Sequence, residues 1–283
     1  LEPCDHQGRT PPCTDALIEA GVASVVIAIV DPDRRVSGAG VARLRVAGLQ
    51  VRTIVDPVSG EALDPGYFHH RRTDRPLVTL KLAATLDGQS AAADGTSQWI
   101  TSAEARQDAH AFRAHSDAIV VGAETLRRDD PRLDVRLEGY EGRRPRPVVI
   151  AGRRPLPAMA QLYARNPLVY RDARQGDEPS GAEIVTLPGL AGVDLDAAIK
   201  DLGSRGMVDV FVEGGPTLAG ELLRAGLVDR LVVYVGATLG GGTGMPMVAG
   251  VWETLDAALD AEIAEVRRIG PDVRIVANLG TGG

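Results

Sequence analysis

The residues best suited to chemistry in this chain are two thiols near its start and a scatter of charged side chains next to glycine-rich turns. Cys4 and Cys13 lie in the segment Leu1-Glu2-Pro3-Cys4-Asp5-His6-Gln7-Gly8-Arg9-Thr10-Pro11-Pro12-Cys13, on a tight loop leading into a helix. A helix N-terminus favours the thiolate, the metal-binding form. Two thiolates with an imidazole and a water would make a catalytic zinc site; two buried structural thiols fit the spacing equally well. Residues 208–213 followed by Gly214-Gly215-Pro216-Thr217-Leu218 read as a strand entering a helix through a glycine pair. Glycines let backbone approach a phosphate, and free N–H groups at a helix start bind its charge. An ordinary strand-to-helix turn uses the same residues. The segment is not a Walker loop and lacks dinucleotide-fingerprint spacing.

Lys81, in Lys81-Leu82-Ala83-Ala84-Thr85-Leu86-Asp87-Gly88, is expected at the end of a buried strand. An inward ammonium there needs a carboxylate or ligand oxygen, unless it snorkels outward. Trp99, in Ser97-Gln98-Trp99-Ile100-Thr101, could cover a flat ligand or fill a core. From Thr125 to Arg136, four arginines and three aspartates fall within twelve residues. This is either a solvated charged loop or a phosphosugar clamp in which Arg136 and the helix residue Arg113 bind phosphate through paired N–H donors.

The elements that must position these groups follow from patterning. The 283 residues are 44% hydrophobic and 24% charged, ordinary for a globular protein and enough for two domains. With 38 acidic and 31 basic residues, the net charge of −7 argues against nucleic acid as a partner. It leaves anionic small molecules open. No apolar run reaches membrane-span length, no signal-peptide pattern opens the chain, and two cysteines make no disulfide scaffold, so a cytoplasmic location is expected. The chain starts on Leu1, in the manner of a fragment. A helix over residues 14–20, a strand over 24–30 buried on both faces, a helix over 41–47 and a strand over 51–55 give a β-α-β rhythm. The polar stretch 69–76 reads as a linker. Beyond it, strands are expected at 77–82, 118–122, 147–151, 168–171, 183–187, 208–213 and 230–237. Helices are expected at 102–115, from Thr125, at 194–205 and at 216–224, and a hairpin turns at Gly270-Pro271 between strands near 263–268 and 273–277.

The segment carrying Cys4 and Cys13 closely resembles the zinc loop of the cytidine-deaminase-like domain in bifunctional riboflavin-biosynthesis deaminase-reductases. There two cysteines and the histidine of an upstream His-Ala-Glu motif hold zinc, and the glutamate shuttles protons. Cys4 and Cys13 match the thiol ligands, but the sequence contains no His-Ala-Glu, and His6 lies where the family places no ligand. The resemblance implies remnant zinc ligands with the third absent, no stably bound zinc and no deamination. Residues 79–88, 97–101, 125–131 and 213–219 resemble, in the same order, the motifs of the family's reductase domain. The fold implied is α/β: a dihydrofolate-reductase-like reductase domain over 77–283, preceded by a partial cytidine-deaminase-like domain over 1–68.

That reductase converts 5-amino-6-(5-phosphoribosylamino)uracil to the ribitylamino compound with NADPH. The resemblance implies an NADPH site of Ala83, Trp99, Thr125, Asp129, Gly215, Pro216, Thr217, Leu218, Ala219, Gly220 and Glu221, and a substrate site of Ser97, Arg113, Leu133, Arg136 and Glu213. Where the family often has a cofactor-contacting serine, this chain has Ala151-Gly152-Arg153-Arg154. Gly152 offers no hydroxyl, and Arg153 or Arg154 is expected to meet the cofactor 2′-phosphate. Lys81, Asp129 and Glu213 are the expected catalytic groups, orienting ribose hydroxyls or moving protons. Arg127, Arg128 and Arg132 are expected on the solvent side. A homodimer through the reductase domain is expected, with no membrane partner. The alternatives are a reductase of the same fold acting on a pterin, against which the paired phosphate arginines argue, and a non-catalytic ligand-binding subunit.

Overall fold

The computed structural model describes residues 1–8, 10–53, 60–152, 154–172, 179–190, 192–250 and 252–280. The chain divides into two compact units, 1–75 and 76–283.

In the first unit, α1 (Cys13–Glu19), β1 (Ser24–Ile27), α2 (Ala39–Val46), β2 (Gln50–Thr53) and α3 (Pro65–Thr73) follow in order. β1 and β2 pair in parallel, with Ser24 opposite Gln50. The expectation of a strand buried on both faces is corrected. β1 stops at Ile27, Val26 is exposed, and β2 is its one pairing partner among the described residues. Residues 54 and 55 of the expected second strand lie outside the described residues.

The stretch 69–76, expected as a linker, holds the boundary between the units at 75/76, but it is helical as far as Thr73. Asp64 caps it by accepting from the Tyr67 N–H, and Pro65 suits the first turn. Arg71 and Arg72 stack on Tyr67 and Phe68 one turn back. The polar composition therefore belongs to a helix whose cations favour its C-terminus. Helix α2 has no cap of its own. The buried Glu2 carboxylate supplies one, accepting from the N–H groups of Gly38 at 2.8 Å and Val41 at 3.1 Å.

The second unit contains β3 (Leu77–Thr85), β4 (Gln89–Ala91), α4 (Ala103–His115), β5 (Ala118–Gly122), α5 (Ala123–Asp129), β6 (Arg146–Ile150), β7 (Leu168–Arg171), β8 (Glu183–Thr186), α6 (Leu195–Ser204), β9 (Asp209–Val212), α7 (Pro216–Arg224), β10 (Arg230–Gly236), β11 (Met245–Pro246), β12 (Ala261–Ile269) and β13 (Asp272–Leu279). Nine strands form one sheet in the order β12-β13-β10-β3-β9-β5-β6-β7-β8. Those from β10 to β8 pair in parallel, and β12 and β13 add an antiparallel hairpin at one edge.

Alternate residues of the central strands bury opposite faces. Val120, Val148 and Val212 pack with Leu202 of α6 and Leu222 of α7. Ile119, Val121 and Val149 pack with Leu126 of α5 and with Leu133 and Leu162. This double burial explains why the strands read as continuous apolar runs.

Strand β3 extends past its expected end because residues up to Thr85 pair with β10, as far as Gly236. Lys81 thus stands inside the strand, opposite Val232, and not at its terminus. The short ribbon of β4 and β11 was not anticipated. Asp87 anchors it, accepting from Gly240 N–H and Gly241 N–H at 2.8 Å each and from Thr85 Oγ1 at 2.6 Å. The Gly240 N–H first, and then the Thr85 hydroxyl, hold its carboxyl down at about 2.

Two glycines mark close approaches. A Cβ on Gly220 of α7 would lie 1.7 Å from the Ala249 carbonyl oxygen, and one on Gly236 would lie 2.1 Å from that of Ile100.

Candidate active site

The carboxyl ends of β3, β9, β5 and β6 converge on a cleft of about 1130 Å³. In an open parallel sheet ligands bind where the connections diverge. Here β5 leads outward through β6 and β7 to β8, while β9 crosses β3 to reach β10. The same two strands feed α5 and α7, whose N-caps, Gly122 and Gly215, provide no side-chain cap. First-turn N–H groups without side-chain caps form a ready cradle for phosphate. A Cβ at Gly152 would meet nothing within 4 Å, and one at Gly215 only Thr125 Oγ1 at 3.9 Å. These positions have the room and polarity that a dinucleotide's phosphates require. Eight basic side chains and four carboxylates line the cleft among the described residues, in a chain whose net charge is −7. The local field therefore attracts anions despite the overall charge.

The inner wall joins three elements. Arg113 of α4 grips Glu213, just past β9, through Nε and Nη2, each 2.6 Å from a carboxylate oxygen. Its Nη1 donates to the Asp134 carbonyl at 2.9 Å. Arg113 was expected to be free for phosphate. Three of its five N–H donors are instead committed here, because a buried carboxylate needs a bidentate cation. Burial pushes the Glu213 carboxyl up, but the bonds and charge of Arg113, with the charge of Lys81, outweigh it and leave it below its ordinary value.

Lys81 reaches this cluster from β3. Burial lowers its pKa, the charge of Glu213 opposes that, and Arg113 adds to it. At the far end of α5, Asp129 has a raised pKa from desolvation, partly offset by Arg128. Thus a lysine and a carboxyl in the cleft both sit closer to neutrality than in water, a pattern that recurs where protons are moved.

The rim is looser. Arg127 donates to Glu124 at 3.0 Å and to the Pro155 carbonyl at 3.1 Å, and Arg154 pairs with the same Glu124. Arg128 donates to the Gly95 carbonyl at 2.6 Å. Arg128 is exposed as expected while also lining the cleft, whereas the expectation for Arg127 is corrected, since it is partly buried against Glu124 and Pro155. Arg132 is exposed as expected, paired with Asp134 at 3.2 Å. Arg136 also lines the cleft, and its side chain is 63% exposed, with only a 3.5 Å approach to Asp134.

Ala83, Ser97, Thr125, Leu133, Gly152, Gly215, Pro216, Thr217, Leu218 and Glu221 all line the cleft. Ala219 and Gly220 do not. Ala219 is fully buried in the core, and Gly220 backs onto Ala249, because successive helical residues cannot all face one side. Arg153 lies outside the described residues. Leu133 lines the cleft but is buried in the core beside Leu126 and Leu162, with φ at +49°. Trp99 is a cleft residue and not a core one. It is 68% exposed, and the Arg106 guanidinium lies 4.0 Å from its ring centre. Arg106 and His110 escaped the sequence reading. The signal for His110 was its i, i+3 spacing to Arg113 on one helix face.

In the first unit, Cys4 and Cys13 place their sulfurs 3.4 Å apart, a separation suited to two thiolates on one metal. Hydrogen bonds from Cys13, its backbone first, lower the Cys4 pKa. Among the described residues no group of three His, Cys, Asp or Glu is arranged to hold a metal.

An open parallel sheet with an antiparallel edge hairpin, and a cationic cleft at its carboxyl edge, defines a dihydrofolate-reductase-like domain. Residues 76–275 match the family described as RibD C-terminal domain. The chain is 38% identical to riboflavin biosynthesis protein RibD of Escherichia coli K12, over 96% of this chain and 79% of that protein. The RibD structure from Acinetobacter baumannii superposes with a TM-score of 0.89 at 31% identity, over 98% of this chain and 79% of that one. A Thermotoga maritima protein described as a diaminohydroxyphosphoribosylaminopyrimidine deaminase/5-amino-6-(5-phosphoribosylamino)uracil reductase gives 0.83 at 29% identity, over 98% and 77%. The chain belongs to the RibD family.

Proposed function

We propose that this riboflavin-biosynthesis reductase takes 5-amino-6-(5-phosphoribosylamino)uracil to 5-amino-6-(5-phosphoribitylamino)uracil at the expense of NADPH. The observation that carries the reading is the Lys81–Arg113–Glu213 cluster set deep in a cationic cleft between two helix starts without side-chain caps. NADPH, when bound, supplies the hydride. The N–H groups opening α5 and α7 hold its diphosphate, Trp99 covers a flat ring, and Arg154 with Arg127 meets the 2′-phosphate. Glu213, kept ionised by Arg113, accepts hydrogen bonds from the ribose hydroxyls and fixes C1′. As the substrate's C1′–O4′ bond breaks, the nitrogen lone pair forms a C1′=N⁺H iminium that keeps its N–H, and Lys81 gives a proton to O4′. Asp129, with its raised pKa, is the second proton-transfer group. Arg136 takes the 5-phosphate, joined by the two N–H donors that Arg113 keeps free. In the same reading the first unit is part of a deaminase-like domain. These 283 residues hold the two thiols and no His-Ala-Glu.

Purified chain supplied with NADPH and the phosphoribosylamino substrate should form the ribitylamino product, one per NADPH consumed. Turnover of a dihydropterin in its place, with the phosphorylated substrate inert, would overturn the reading.

A further inference from the structure

His110 lies on α4 one turn before Arg113 and is only 7% exposed. Its Nδ1 stands 3.1 Å from the backbone nitrogen of Arg136. That N–H can only donate, so Nδ1 is the bare acceptor and the proton of the neutral ring sits on Nε2. The ring is held neutral, with its pKa brought down to about 4 by burial first and then by the charges of Arg113 and Arg136. The Nε2–H makes no hydrogen bond among the described residues, yet the residue lines the cleft. Nε2 is not sealed from the cleft's solvent, so an oxygen entering the cleft can replace water as its acceptor.

The neighbours identify that acceptor. The segment whose main chain bonds Nδ1 also carries the exposed Arg136 guanidinium, and Arg113 lies one turn along the same helix. Several oxygens of one phosphate can serve the imidazole and the guanidinium together. A neutral N–H adds a bond there without adding a third positive charge between two arginines.

We propose that His110 is a further binding residue for the substrate's phosphate, donating from Nε2 to one phosphate oxygen while Nδ1 holds the Arg136 segment in place. This rests on the reductase reading above. Asparagine and glutamine separate the two ring atoms. Asparagine can still accept the Arg136 N–H but does not reach the Nε2 position, whereas glutamine does. His110→Asn should raise KM for the phosphorylated substrate about tenfold, the loss of one charge-assisted bond. It should leave kcat, NADPH affinity and KM for the dephosphorylated substrate nearly unchanged, and His110→Gln should restore much of the loss. An unchanged KM, or equal rises with and without the phosphate, would overturn the proposal.

A second arm needs no turnover. The Nε2 resonance of His110 in the wild-type chain should shift on titration with ribose 5-phosphate and not with ribose. No shift, or the same shift with both sugars, overturns the proposal. Failure of the wild-type chain to oxidise NADPH would sink the reductase reading alone, since the titration still decides His110.

Discussion

Arg113 and Glu213 are 12% and 14% exposed and share two hydrogen bonds of 2.6 Å, whereas Arg154 and Glu124, paired at the other end of the same cleft, are 67% and 57% exposed. The inner pair is fixed before any ligand arrives. Its charges were desolvated on folding, and removing either one strands the other. The rim pair sits in water, contributes little and is screened by salt, so Glu124 can yield Arg154 to an incoming phosphate at small cost. Under the proposed function, the inner wall would orient the reacting atoms and the rim would choose the cofactor.

Glu213→Gln should cause the largest change. It leaves Arg113 and Lys81 without their carboxylate, so stability should fall by about 3–5 kcal/mol and kcat/KM by at least about a hundredfold. Urea unfolding and steady-state rates check this, and unaltered stability would break the distinction between wall and rim. Lys81→Met should lower kcat by roughly 10²–10⁴-fold while leaving stability equal or higher, since a desolvated ammonium is lost. The sign of its pH dependence follows from its lowered pKa. Between that value and the ordinary 10.5, the unfolded chain binds the extra proton, so stability rises with pH through this window. The Met variant should lose that alkaline rise in pH-resolved unfolding curves.

Arg136→Ala tests the intermediate case, an exposed side chain assigned a ligand. KM for the phosphorylated substrate should rise about tenfold or more, while Arg128→Ala, whose partner is the Gly95 carbonyl, should change it by less than about threefold. Similar small effects from both at matched ionic strength would move the phosphate elsewhere. Replacing Arg127 and Arg154 together by Ala should narrow the preference for NADPH over NADH by about tenfold, with a stability change below about 1 kcal/mol. That preference should itself weaken with added salt. A salt-independent preference that survives the double variant would take the 2′-phosphate away from this rim.

Elements whose signal is local were legible in the sequence. Strand β7 and the end of α7 at Arg224 fall where apolar runs and Pro216 put them, and the last hairpin turns at Gly270-Pro271. What escaped depends on distant partners. The full length of β3 is set by β10, and Ser90 of β4 meets Met245 and Pro246 from the far end of the chain. Helix α3 was hidden by its charges, because its apolar contacts are aliphatic and cationic stems lying over Tyr67 and Phe68. In the site, the family resemblance identified Arg113 and Glu213, but not that each would occupy the other across a hundred positions. The spacing of His110 to Arg113 was in the sequence, but its bond to the Arg136 N–H was not.

The close approach of Gly220 to Ala249 has a consequence for how substitution data on this cleft should be interpreted. A scan of single replacements would flag Gly220 as sharply as Gly215, and the two stand in one continuous run of residues. The same intolerance would have opposite origins. Alanine at 215 should leave the fold standing and weaken the grip on NADPH. Alanine at 220 would press on a carbonyl 1.7 Å away and unseat α7 with no ligand present. Sensitivity along residues 215–221 thus maps two surfaces of one helix, only one of which faces the cleft, and melting curves of the ligand-free variants tell them apart.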